Sequence, residues 1–64
     1  MIRVIIRTPD PSLYAQAASM ARRHARHMSP GETFAAQMED GVVWCLQKRR
    51  GSVTVRQIVN GVAA

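Results

Sequence analysis

Glu39-Asp40-Gly41-Val42-Val43-Trp44-Cys45-Leu46-Gln47-Lys48-Arg49-Arg50-Gly51, residues 39–51, holds an apolar run between two glycine-ended turns. Each glycine stands where a hairpin needs a positive φ, and Val42 to Leu46 is apolar at consecutive positions, so the run reads as a central strand with both faces in use. Strands are then expected on either side of it, giving a three-stranded meander over residues 32–57. The facing of the middle strand depends on the first turn. A three-residue turn with Gly41 left-handed places Phe34, Ala36, Met38, Val42, Trp44 and Leu46 on one side, whereas a two-residue Asp40-Gly41 turn sends Trp44 and Leu46 outward. A small domain needs its largest ring inside, which favours Trp44 in the core.

Upstream, Met1 to Arg7 alternates, with Ile2, Val4 and Ile6 pointing one way and Arg3, Ile5 and Arg7 the other, the period of a half-buried strand. Thr8-Pro9-Asp10-Pro11 stops it. Asp10 can cap free amides and Pro11 suits a first helical position, so a helix is predicted from there to His27 or Met28, ended by Ser29-Pro30-Gly31. At about 100° per residue, Leu13, Tyr14, Ala17, Ala18, Met20, Ala21, His24, Ala25 and Met28 form one apolar arc. Arg22, Arg23, Arg26, Ser19, Gln16 and His27 share the other. Downstream, Val53, Val55 and Val59 continue the alternation of the last strand, and Asn60-Gly61 begins a frayed tail. The expected fold is α+β: one helix on an antiparallel sheet of about four strands, in the order β-α-β-β-β.

The chain has 64 residues, which bounds it to a single domain, 1–64. Such a domain buries only about 60% of the surface its unfolded chain exposes, so one helix against a sheet is the limit and a deep catalytic cleft is not expected. An apolar fraction of 47% against 20% charged residues argues for a folded chain. No apolar run approaches the roughly 20 residues of a spanning helix, and Met1-Ile2-Arg3 lacks a signal-peptide layout, so a cytoplasmic protein without membrane contact is expected. Cys45 is the only cysteine. Without disulfide staples, so small a domain gains stability from self-association or a partner, and monomer and homodimer both remain open.

Site chemistry is sparse. His24, His27 and Cys45 could be drawn as a metal set, but the two histidines diverge by about 60° on the helix and a fourth ligand is missing. The simpler reading is a packed His24, a solvated His27 and Cys45 as a small core residue. Of the acids, Asp10 is engaged at the helix start, Glu39 and Asp40 sit in a turn and Glu32 lies at the far end of the same strand, so no carboxylate pair straddles a substrate. No glycine-rich loop cradles a phosphate. Neither an enzyme nor a cofactor is expected.

What stands out is charge. Eight of nine basic side chains are arginine, the net charge is +5, and six of the nine form two clusters, Arg22/Arg23/Arg26 and Lys48/Arg49/Arg50. Guanidinium forks bind carboxylate or phosphate through paired hydrogen bonds, so these six residues are the candidate partner-binding set. GC-rich codon usage alone can favour arginine over lysine, but it does not cluster them. Arginines near a helix C-terminus also complement its dipole, and a charged hairpin tip deters aggregation. The two partner classes these clusters fit are an acidic protein surface or ribonucleoprotein complex, and nucleic acid itself, gripped without sequence preference by the same patches. Single-strand binders stack bases on sheet aromatics, and Tyr14, Phe34 and Trp44 all have core duties.

The Ser12-Leu13 start of an alanine-rich helix, followed by Gly41-Val42-Val43-Trp44 and by Lys48-Arg49-Arg50-Gly51-Ser52-Val53, resembles the pattern of small anti-CRISPR proteins of bacteriophages. The chain departs from the acidic, DNA-mimicking members of that group in its charge. The resemblance implies a phage inhibitor that docks on a Cas subunit or guide-RNA complex and blocks DNA recruitment sterically, with arginines on carboxylates or RNA phosphates. It assigns no functional residue here.

Overall fold

All residues, 1–64, are described in a computed structural model of the chain. Arg3–Arg7 is β1, Pro11–Leu13 a 3-10 turn and Tyr14–Ala25 helix α1, followed by β2 (Thr33–Gln37), β3 (Val43–Arg49), β4 (Ser52–Val59) and the short β5 (Val62–Ala63). The architecture is α+β, with the order β-α-β-β-β and one extra strand at the end.

Local chemistry accounts for the elements. The Asp10 carboxylate accepts from the Ser12 N–H at 3.0 Å and from its hydroxyl at 2.7 Å, and Pro11 takes the first position of the turn, satisfying amides that a helix start leaves free. Between β2 and β3, Met38 N–H donates to the Val42 carbonyl at 2.8 Å and Gly41 N–H to the Met38 carbonyl at 2.9 Å. Gly41 has φ +89°, the left-handed third residue of the loop. That geometry sets Ala36 opposite Trp44 and Phe34 opposite Leu46. Trp44 is fully buried. Burying an indole of ~150–250 Å² at ~25 cal/mol/Å² contributes at most about 4–6 kcal/mol, comparable with the whole stability of a domain this size, roughly 3–10 kcal/mol. The facing of Trp44 is thus what the fold can least afford to change.

The sheet order is β1-β4-β3-β2, with β5 also on β4. β3 and β4 are interior. The sheet is mixed, which corrects the expectation of a wholly antiparallel one: β1 pairs with β4 in parallel, Arg3 opposite Ser52 through Arg7 opposite Arg56. The cause is topological. α1 returns the chain to the end where β1 began, so β2 runs in the same direction as β1, and the meander makes β4 do so too. Within the meander only β3 runs the other way, and both its edges are occupied by β2 and β4. Any edge open to β1 therefore gives parallel pairing.

Asn60-Gly61 does not begin a frayed tail. Asn60 (φ +52°) and Gly61 (φ +78°) make a tight turn that brings Val62 and Ala63 back onto Val59 and Ile58. Two consecutive positive φ values suit the asparagine-glycine pair, a strong hairpin signal.

The core is one layer between helix and sheet. Ala17, Met20, Ala21 and Ala25 of α1 meet Trp44, Leu46, Val53 and Val55, with Val4 and Ile6 packed alongside. The alanines let α1 approach closely. Tyr14, expected on the buried arc, is half exposed. It shares the helical phase of the buried Ala17, Ala21 and Ala25 but is the first residue of α1, at the end of the packed stretch. Cys45 likewise leaves the expected core: it is half-buried on the sheet face turned away from α1, because alternation along β3 puts it opposite to Trp44 and Leu46.

Candidate docking surface

The two basic clusters, 22 or more residues apart in sequence, fold to the same end of the molecule. Arg22 and Arg26 flank a groove of about 310 Å³ whose other walls include Met1, Ile2 and Val4, so the C-terminal end of α1 lies over the start of β1. The Arg3 N–H donates to the Gly51 carbonyl at 3.0 Å, so the start of β1 lies beside the β3–β4 turn. Arg3, Arg22, Arg23, Arg26, Arg49 and Arg50 are all exposed there. The last turn of α1, with Arg22, Arg23 and His24, also ends in the negative pole of the helix dipole.

Lys48 is a correction to the set. It is only 8% exposed, on the helix side of β3 in line with Trp44 and Leu46, and its Nζ donates to the Arg49 carbonyl at 3.1 Å. The strand alternation that carries Trp44 inward carries Lys48 inward with it, its stem packed and its head held by main chain. The exposed hairpin-tip charges are Arg49 and Arg50.

The acids occupy the other end. Asp10 caps the helix start and Glu39 and Asp40 sit in the β2–β3 turn. Gln16 donates to Asp40 Oδ2 at 2.9 Å, and Asp40 Oδ1 accepts from the Val42 N–H at 3.0 Å. These two bonds, the Gln16 amide first, hold the Asp40 carboxyl below its ordinary range. The same Gln16 accepts from Trp44 Nε1 at 2.8 Å. Only Glu32 lies at the basic end, and its carboxylate accepts from the Ser29 N–H. Seven basic residues with one acid at one end, against Arg7 and Arg56 with three acids at the other, divide the net charge of +5 into +6 and −1.

His24 stacks on Phe34, ring centroids 4.6 Å apart and planes 27° from parallel, while Cys45 lies on the opposite side of the sheet. The three side chains considered for a metal therefore do not converge. Gln16 and the arginines outside the two clusters were not singled out by spacing alone. The alternation of Arg3, Ile5 and Arg7 did put two of those arginines on the face away from the core, but their neighbour Arg56 needed the parallel pairing of β1 and β4. No helix is long and apolar enough to cross a membrane. Comparison with protein-family models, curated proteins and solved structures returned no match to this chain.

Proposed function

We propose that the chain is a non-enzymatic binding protein that docks through its basic end on an acidic surface of a host nucleoprotein complex and blocks that complex by occupying the surface. The observation that carries this reading is the convergence of Arg22, Arg23 and Arg26 with Arg49 and Arg50 at one end while three of four acids gather at the other. A charge dipole of this kind orients a small protein during encounter and sets which end arrives first. Like charges on successive helical turns, Arg22 and Arg26, oppose helix stability by a few tenths of a kcal/mol, an arrangement that a bound anionic partner relieves. The resemblance to phage anti-CRISPR proteins supports the inhibitor role, with action in the bacterial cytoplasm and a Cas assembly as the target class.

The test is capture from nuclease-treated bacterial lysate by the natural chain and by a chain carrying Arg22→Glu, Arg23→Glu and Arg26→Glu. A partner retained by the natural chain and lost by the reversed one supports the reading. A partner held equally by both contradicts it.

A further inference from the structure

The sheet face turned away from α1 carries a second array, separate from the helix arginines. Strand register orders it into rungs. Arg3, Ser52 and Arg49 lie side by side on β1, β4 and β3; Ile5, Thr54, Gln47 and Thr33 form the next rung; Arg7, Arg56 and Cys45 form the third, with Ala35 beyond on β2. The outer rungs carry the charge, and the middle one runs from Ile5 through the buried Thr54 to the polar Gln47 and Thr33. None of the four acids stands in these rungs. Strand spacing of about 4.8 Å and a rise of about 3.3 Å per residue place the two arginine rungs ~13 Å apart on a face ~15–20 Å wide.

Arg7 and Arg56 are directly opposite each other with no acid between them, an arrangement that like charges disfavour. Arg56 Nη1 donates to the Ala64 main-chain oxygen at 3.0 Å, which fixes its fork and leaves other donors for a ligand. At the other rung, Ser52 stands in register between Arg3 and Arg49. Each rung is a ready anion clamp.

We infer that this face binds the phosphate backbone of double-stranded RNA. Trp44, Phe34 and Tyr14 all belong to the helix side or to α1, so this face offers no ring on which to stack an unpaired base, and a strand whose bases already stack within a duplex is the better fit. The face is strand surface alone, the one helix lying on the other side of the sheet. B-form grooves are read by an inserted helix or ribbon, whereas the A-form minor groove is wide and shallow and displays 2′-hydroxyls between its phosphate rows. Phosphate, hydroxyl, phosphate matches arginine rung, Thr33/Gln47 rung, arginine rung. This surface shares Arg3 and Arg49 with the basic end but excludes the helix cluster Arg22, Arg23 and Arg26, and its ligand is a second one.

Fluorescence anisotropy with a labelled RNA duplex, a DNA duplex of the same sequence and one RNA strand tests the inference. The RNA duplex is expected to bind more tightly than the other two, with a log–log salt slope of about −3 to −4 for four arginine contacts. Changing Arg3→Gln and Arg7→Gln together should roughly halve that slope, while Arg22→Gln with Arg23→Gln leaves it unchanged. A melting temperature of the Arg3/Arg7 variant at or above that of the natural chain shows that the loss is not unfolding. Absence of RNA binding at low salt, equal affinity for the DNA duplex or the single strand, or a slope insensitive to Arg3 and Arg7 each overturns the inference. Because the lysate experiment alters other residues and removes nucleic acid, either result can fail without the other.

Discussion

The indole Nε1 of Trp44 donates to Gln16 Oε1 at 2.8 Å, and the amide of the same glutamine donates to Asp40. A polar side chain on the helix thus joins the largest core ring to the turn that decides its facing. The indole N–H is the one polar atom Trp44 takes into the interior, and Gln16 is its partner.

Gln16→Leu removes that acceptor and leaves the donor without a partner. The expected loss is about 1–3 kcal/mol, and each kcal/mol lowers the melting temperature of so small a domain by roughly 4–8 °C. Thermal unfolding followed by tryptophan fluorescence measures it. An unchanged melting temperature would show that water satisfies the indole equally well.

Asp40 gives a pH signature. Its carboxyl titrates below its ordinary value in the folded chain because Gln16 and the Val42 N–H bind the ionised form. Its stabilising contribution is therefore complete above the unfolded-state value of about 4 and is lost as pH falls through the lower folded-state value. In an NMR titration the Asp40 midpoint should lie below the ordinary aspartate value, and Gln16→Leu should move it upward.

Lys48 separates packing from docking. Lys48→Met keeps the buried stem and removes the charge, so stability should change by less than about 1 kcal/mol. Capture of the partner should not change. A marked fall in partner binding with an intact fold would return Lys48 to the docking set.

Arg7 and Arg56 make an opposite prediction for stability. Replacing Arg7 by glutamate converts a like-charge pair in register into an ion pair, so unfolding should shift upward by about 0.2–1 kcal/mol. Urea denaturation at low salt reads it, and the gain should shrink at high salt. A destabilised Arg7→Glu chain would mean that the two guanidiniums do not oppose each other.

Much of the fold is legible along the chain because its determinants are local. Asp10 and Pro11 start the helix, Ile2, Val4 and Ile6 set the first strand's inner face, and Gly41 fixes the turn that places Trp44. What is not legible depends on partners distant in sequence. The parallel pairing of β1 with β4 arises from which strand edges remain free after the meander forms, and it alone brings Arg7 beside Arg56. Gln16 reads as a solvent residue on a helical wheel, since its partner is an indole 28 positions later. Lys48 shows a different failure: charge suggests solvent, but alternation along β3 from Trp44 already pointed inward, and the period outweighs the residue type. Asn60-Gly61 was a local signal too, and Val62 and Ala63 pair directly after it.

The central claim is that the end of α1 and the β3–β4 turn form one docking surface for one partner. A double-mutant cycle with Arg26→Glu and Arg50→Glu, measured as the affinity of the captured partner for the purified chains at moderate salt, tests it most directly. Each reversal should weaken binding by about tenfold or more, roughly 1.4 kcal/mol or more. A partner whose affinity responds to one reversal and ignores the other would contradict a shared surface.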